Sequence, residues 1–315
     1  MMQKWTKTPA SPVTIGILIF DRFSNLCLSN CLEPLRAAND VAREALFDWR
    51  IVTPDGAPAR SSSDIQVLPH GALRDLPECD YLFVHASYDH LRHDTPETRR
   101  ALRAAAGRAG TVVGLDTAPW LLAAAGLLDG RHATLHWDML DAFAERFLKV
   151  EVERARALRD GPFVTCAGAM SALDLTLDLI ARHAGTATRL DVEDQFMHSG
   201  DRGPAQVVPE GDPLVRRALA LMREHVERPL PLSAVARRLT CQPRTLDRRF
   251  RRALGAPPGA VYRHLRLSEA RKLLDGTQLG IAEIAVRCGY DSPAALARAV
   301  KARYGRAPSA LRQSG

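Results

Sequence analysis

The sequence holds no run of about 18 apolar residues, so no stretch of it reads as a membrane-spanning helix. It contains no GxGxxG, no P-loop and no HExxH, which removes the sequence signals for a dinucleotide fold, for phosphate cradling and for a zinc peptidase. Cysteine is sparse and scattered: Cys27, Cys31, Cys79, Cys166, Cys241 and Cys288 form no CxxC pair. Cys27 and Cys31 stand one helical turn apart, but no nearby histidine or cysteine completes a ligand set, so neither a metal nor another cofactor is expected. Aromatics make up only 6% of the chain, which leaves a general RNA binder without base-stacking platforms. The start of the chain also lacks the marks of an export signal. Its apolar stretch at 13–20, VTIGILIF, has no small-residue cleavage site and runs at once into Asp21 and Arg22. The expectation is a buried strand, in a protein whose thiols stay reduced in the cytoplasm.

What is present divides by charge. Residues 212–315 carry 21 Lys+Arg against 8 Asp+Glu, a net +13; residues 1–211 carry 22 against 28, a net −6. A chain of 315 residues should hold two or three domains, at roughly 100–200 residues each. A basic third behind an acidic body is the footprint of a polyanionic partner, although a solvated arginine-rich surface would give the same balance.

In the body, VTIGILIF (13–20), WRIVT (49–53), DYLFVHA (80–86), TVVGLD (111–116) and FVTCAG (163–168) are near-continuous apolar runs. Such runs suit parallel strands covered on both faces. Helical spacing lies between them at 28–46, 95–110 and 170–185, with Thr95 placed to cap the second and Pro96 at its first position. Strands alternating with helices predict a doubly wound α/β domain over residues 12–200, with any ligand at the carboxyl edge of its strands.

Three points on that edge could carry chemistry. Asp116 ends a strand at a tight turn, before a helix expected to start near Thr117 and run through Leu121, Leu122, Ala125 and Leu128. Nucleophile elbows occupy such turns, but this one holds no cysteine or serine, so no catalytic residue is assigned. Asp116 caps the helix, contacts a ligand, or does both. In ATLHWD (133–138), His136 and Trp137 stand at the start of a helix, as packed groups or as pocket residues. Glu33 lies in the otherwise apolar LSNCLEPLR, just before Pro34, which is expected to kink or interrupt its helix. The inferred fold brings Glu33 and Asp116 to one edge, with Thr117, Trp120, His136 and Trp137 close by. Two carboxylates beside indole rings suit a cation, and an indole face attracts an ammonium by about 0.5–2 kcal/mol. The competing reading makes the tryptophans core and Asp116 only a cap.

Residues 201–213, DRGPAQVVPEGDP, are rich in glycine and proline and read as a linker. An all-α domain is expected over 214–313. In LSAVARRLTCQPRTLDRRFRRALG (232–255), Ser233 is a suitable N-cap, and a turn leads to a second helix from Pro243. Leu246, Phe250 and Leu254 recur there at i, i+4 and i+8, while Arg244, Arg248 and Arg252, with Thr245 beside them, form the opposite face. This is helix-turn-helix patterning with a cationic outer side. It repeats in GIAEIAVRCGYDSPAALARAVKARYG (280–305), with a cap at Asp291 or Ser292 and Leu296, Val300 and Tyr304 inward. Ala294, Arg298 and Lys301 lie on its outer face. Between the copies, residues 257–274 read as one long helix able to hold two readers in successive major grooves.

These segments resemble the AraC/XylS family of transcription regulators. PRTLDRRF, YRHLRLSEARKLL, IAEIAVRCGY and YGRAPSALR carry the likeness, with Gly289, Gly305, Pro308 and Arg312 in the family places. Gln242 departs from the family's usual small cap, and Leu296 and Val300 stand where phenylalanines are usual. The body resembles the class I glutamine-amidotransferase-like fold of PfpI-type proteins, as fused to AraC domains in GlxA-type regulators. LEPLRAAND, LDTAPWLLAAAGLLDGRHATLHW and TCAGAMSALDLTLDLI carry that likeness. In hydrolytic relatives the elbow holds a cysteine, and here Asp116 takes its place. The resemblance maps a pocket glutamate onto Glu33 and a pocket histidine onto His136, and implies regulation of small-amine or amino-acid catabolism.

The combined expectation is a cytoplasmic, dimeric activator of transcription that binds promoter DNA and a small-molecule effector and works with RNA polymerase. Arg244, Thr245, Arg248 and Arg252 are the expected DNA contacts in the first copy. Ala294, Ala295, Arg298 and Lys301 are their counterparts in the second, where the alanines offer methyl contacts to thymine. The rival is a PfpI-like enzyme with a DNA-binding tail.

Overall fold

The computed structural model describes residues 5–196 and 212–312. They fall into two compact units, one of 7–184 with 188–196, the other mainly of 212–312. The expected linker at 201–213 lies, as far as residue 211, outside the described residues.

The first unit runs β1 (Val13–Ile19), α1 (Asn25–Ala42), β2 (Phe47–Thr53), β3 (Ala59–Arg60), β4 (Gln66–Val67), β5 (Gly71–Ala72), β6 (Cys79–Ala86), α2 (Pro96–Ala106), β7 (Ala109–Asp116), α3 (Ala118–Ala124), β8 (His132–Ala133), α4 (Leu140–Arg146), β9 (Glu151–Val152), β10 (Ala157–Asp160), β11 (Phe163–Cys166) and α5 (Ala169–Ala184), followed by α6 (Thr186–Phe196). Seven strands form one sheet in the order β10-β11-β7-β6-β1-β2-β5. All pairs are parallel except β10 with β11. The unbroken apolar runs have the predicted cause, because both faces are covered. Ile15, Ile17, Phe83 and Val113 pack under α1 and α5, while Leu18, Leu82, Val84 and Val112 pack under α2, α3 and α4. This is the expected doubly wound α/β layer. Parallel β1, β6, β7 and β11 all end at one edge, and the loops after them build the site.

Several local expectations change. Pro34 does not interrupt α1, which is continuous from Asn25 to Ala42. Pro34 is itself buried, so its packing compensates for the lost ladder bond. Helix α3 ends at Ala124 instead of continuing through Leu128, because the chain turns at Gly126 with φ +75°. His136 precedes and Trp137 opens a 3-10 turn at Trp137–Met139, and the α-helix starts only at Leu140. The antiparallel edge strand β10 was not expected: its exposed, polar ALRD has no apolar run to reveal it. Thr95 does cap α2, accepting from the Thr98 N–H at 3.2 Å.

The second unit is helical: α7 (Pro213–Glu224), α8 (Leu232–Arg238), α9 (Pro243–Leu254), α10 (Pro258–Gly276), α11 (Ile281–Arg287), α12 (Pro293–Tyr304) and α13 (Pro308–Arg312). The pairs α8–α9 and α11–α12 are the two helix-turn-helix copies. Leu246, Phe250 and Leu254 are buried in the first, Leu296 and Val300 in the second. The 19-residue α10 between them is about 28 Å long at 1.5 Å per residue. Ser233 is not the cap of α8; Pro231 holds that position and Ser233 lies inside the first turn. Arg266 joins α10 to the second copy. Its guanidinium donates to the carbonyls of Cys288 and Gly289 and stacks over the Tyr290 ring, 4.3 Å from its centroid.

Candidate ligand site and nucleic-acid interface

At the carboxyl edge of the sheet the chain leaves β7 through Asp116, whose φ is +62°. A non-glycine residue held in the left-handed region is locally strained, and such strain collects at functional turns. The Asp116 Oδ2 accepts a 2.7 Å hydrogen bond from the Ser87 hydroxyl, which itself accepts from the Ser24 N–H at 3.0 Å. Thr117 fixes the turn, its N–H donating to the Ala86 carbonyl and its hydroxyl to the Ser87 carbonyl. The His136 N–H donates to the Asp116 carbonyl at 2.9 Å, which ties the third loop to the elbow. Burial pushes the Asp116 carboxyl up, opposed by the Ser87 hydrogen bond and by the nearness of His136, His85 and His90. Beside it, His85 is 2% exposed, and neither of its ring nitrogens has a hydrogen-bond partner among the described residues.

The expected residues do not all converge. Asp116, Thr117 and His136 meet at the elbow. Asp116 does not cap α3 through its side chain, since its carboxylate is turned to Ser87. Glu33 lies elsewhere in its bonding: it is ion-paired with Arg36 at 2.8 Å, and its side chain is 45% exposed. Glu33 is thus partly neutralised by a neighbour on its own helix, since i,i+3 partners meet on a helix surface, while the groups acting on the Asp116 carboxylate are Ser87 and the histidines. Trp120 is core, 8% exposed and packed against His90, Phe143 and Phe147. Trp137 is 62% exposed and lies against the His136 ring. Sequence reading missed Ser87, His85 and His90. The signal was available, since they end and follow the strand run DYLFVHA just as Asp116 ends its own.

Beneath the elbow lie three buried thiols, Cys27 and Cys31 on α1 and Cys166 on β11. Burial pushes Cys166 up to about 12. Cys27 is pushed up by its contact with Cys31 and by burial. Burial acts on Cys31 in the same direction, but contacts with Cys27, His85 and Thr176 outweigh it and bring that thiol down. None of the three stands at the elbow. Among the described residues no three potential ligands are grouped to hold a metal ion.

In the second unit, the outer side of α9 carries five exposed arginines. Two are held by carboxylates: Arg249 by Asp212 and Arg251 by Asp247, each at 2.8 Å. Arg244, Arg248 and Arg252 have no such partner among the described residues and form one stripe at i, i+4 and i+8. On α12, Ala294, Arg298 and Lys301 are exposed, and Ala295 is half-buried at the capped end. Apolar residues pin each helix from behind, so the cationic sides are left to solvent. Such a surface neutralises phosphates and presents guanidinium forks to guanine edges.

A DJ-1/PfpI family model matches residues 14–182, and a helix-turn-helix domain model matches residues 235–314. The chain is 36% identical over 300 residues to the HTH-type transcriptional regulator CdhR of Pseudomonas aeruginosa, covering 93% of this chain and 89% of that one. It is 33% identical over 308 residues to the HTH-type transcriptional regulator GlxA of Rhizobium meliloti, covering 95% of each. It is also 29% identical over 225 residues to an isonitrile hydratase of Pseudomonas putida, covering 68% of this chain and 95% of that one. The chain thus belongs to the DJ-1/PfpI family, in the branch of HTH-type transcriptional regulators that join this domain to an AraC-type helix-turn-helix domain.

Proposed function

We propose that this protein is a sequence-specific DNA-binding transcription regulator of the AraC type whose DJ-1/PfpI unit senses a small metabolite. The observation that carries this reading is the paired stripe: Arg244, Arg248 and Arg252 on α9, repeated as Ala294, Arg298 and Lys301 on α12. Arg244, Thr245 and Arg248 read bases, and Arg252 and Lys301 hold phosphates. Ala294 and Ala295 make methyl contacts and Arg298 a guanine or phosphate contact. Footprinting the full chain on its own promoter tests this. Protection of two adjacent major grooves on one face supports it, and a single groove or equal binding to random DNA counts against it. The protein acts in the cytoplasm as a dimer and activates transcription with RNA polymerase.

The effector contacts Asp116, Thr117, His136 and Trp137, with Trp120 shaping the wall behind them and Glu33 at the margin. A half-buried carboxylate tied to the loop that carries the exposed Trp137 indole suits an amine, guanidine or quaternary ammonium compound. Titration calorimetry with betaine-like, carnitine-like and arginine-like compounds should show binding that Asp116→Asn weakens about tenfold or more. Burial raises the Asp116 pKa, so its protonated form is the one folding favours. That contribution is present below the usual carboxyl range and is lost as pH rises through the raised value. A cation prefers the ionised form. Affinity should therefore fall as pH is lowered through the raised value. Tightest binding of a dicarboxylate, or cation affinity unchanged in Asp116→Asn, overturns the charge argument.

The likeness to an isonitrile hydratase favours a second reading, in which the unit is an enzyme. Against it stands Asp116, an aspartate where a thiolate nucleophile would be needed. Cys27, Cys31 and Cys166 are at most 1% exposed. Alkylation of the native protein should label Cys79 and Cys241 first and leave the effector response intact. Hydratase, amidase or peptidase turnover abolished by Cys27→Ser, Cys31→Ser or Cys166→Ser would establish the enzyme instead.

A further inference from the structure

The two helix-turn-helix copies treat the first residue of their second helix differently. In the second copy Ser292 is the N-cap of α12, and its hydroxyl accepts from the Ala295 N–H at 3.2 Å. In the first copy Gln242 is the N-cap of α9, and its side chain makes no capping hydrogen bond. Both helices have proline at the next position, Pro243 and Pro293. The Thr245 N–H turns instead to the Gln242 main-chain carbonyl at 2.9 Å, while the Leu246 N–H makes the ordinary helical bond to that carbonyl, as Leu296 does to Ser292. Gln242 is exposed, and its amide has no partner among the described residues. Glutamine is a poor choice at an N-cap, where serine, threonine, aspartate or asparagine satisfies an orphan donor. Where a sequence breaks a local rule without a compensating contact, the reason is usually functional.

We propose that Gln242 is a specificity-determining residue of the first reader, its free carboxamide pairing with an adenine in the major groove next to the bases met by Arg244 and Arg248. The inference rests on the reading of α9 as a base-reading helix. Three features support it. The leading end of a recognition helix is the end that meets base edges. A glutamine amide offers one acceptor and one donor side by side, matching adenine N6–H and N7. Thr245, one turn on, faces the same end of the helix. The second copy has no counterpart, so the two half-sites should differ: the α9 half-site requires an A·T pair where the α12 half-site, capped by Ser292, does not.

The test uses the full chain and a library of operator variants, with Gln242→Ser and Gln242→Ala compared to the parent. Gln242→Ser restores the cap and should keep or raise the melting temperature. It should also lower discrimination at one A·T pair by about 5–150-fold, the range of a lost bidentate contact. Affinity for random DNA and the dependence on salt should stay as in the parent. A purely structural role would move stability and leave the preference profile intact, which overturns the proposal. So does equal loss on cognate and random DNA, the mark of a phosphate contact. If the parent itself shows no sequence preference, the reading of α9 fails, and this outcome is distinct from an unchanged profile in a parent that discriminates.

Discussion

The triple variant Arg244→Ala, Arg248→Ala, Arg252→Ala should lose about 100-fold or more in affinity for the cognate site while melting at the parent temperature. Each lost base contact costs about 1–3 kcal/mol, so losing those of Arg244 and Arg248 at about 1.4 kcal/mol each already gives about two decades, before the phosphate contact of Arg252 is counted. Any of the three that meets a phosphate lowers the slope of log K against log salt by about 0.9. The slope change thus separates phosphate holders from base readers. Stability should hold because these side chains are exposed and have no ion-pair partner among the described residues, and alanine is a good helix former. Arg251→Ala is the internal control. It removes a cation from the same helix, but one already held by Asp247, in an exposed i,i+4 pair of about 0.3–0.5 kcal/mol. Its effect on binding should stay within a few-fold. Affinity unchanged in the triple variant, measured by anisotropy at fixed salt, would remove α9 from the interface.

The difference between those two sets of arginines shows what a sequence can and cannot reveal. Periodicity alone placed Leu246, Phe250 and Leu254 inward and Arg244, Arg248 and Arg252 outward. It could not show that Asp212, 37 residues before Arg249, withholds that guanidinium from the stripe. The same limit applies at the elbow. Strand runs 13–20, 80–86 and 111–116 ended close to where β1, β6 and β7 end, so Asp116 was found at the carboxyl edge from its position in the run. What joined it there was set by sheet order, which sequence spacing does not encode. β6 lies beside β7, so Ser87 and His85 flank Asp116 across the strand pair. Nor did the spacing show that Glu33 pairs with Arg36 on its own helix. The Thr95 cap was legible, and the cap of α12 was narrowed to Asp291 or Ser292, of which Ser292 does the work; the side-chain caps Ser24 and Asp212 were not read, nor was Pro231, which opens α8 with no side-chain bond.

Gly289→Ala should be among the most damaging single substitutions in the second unit, and for a reason that bears on DNA reading. Gly289 forms the turn between α11 and α12 with φ +68°. A Cβ there would stand 2.6 Å from both the Val226 carbonyl oxygen and the Pro229 ring. The left-handed conformation costs an L-residue about 1–2 kcal/mol, and forcing in a methyl adds about 1–3 kcal/mol, so the loss should be about 2–5 kcal/mol. For a unit of about 100 residues that is a fall of about 8 °C or more in melting temperature. The turn cannot simply move away, because Arg266 holds the Cys288 and Gly289 carbonyls from α10. Relief must come from shifting the segment at 226–229, which leads into the first copy, and so from changing the spacing of the two readers. A footprint of the surviving folded protein should therefore lose one of its two protected grooves. Gly276→Ala provides the contrast. That glycine ends α10 with open space around its Cβ position, so alanine there should be neutral or stabilising by up to about 1 kcal/mol. Equal melting temperatures for Gly289→Ala and Gly276→Ala, or a two-groove footprint retained in Gly289→Ala, would show that the turn does not set the distance between the readers.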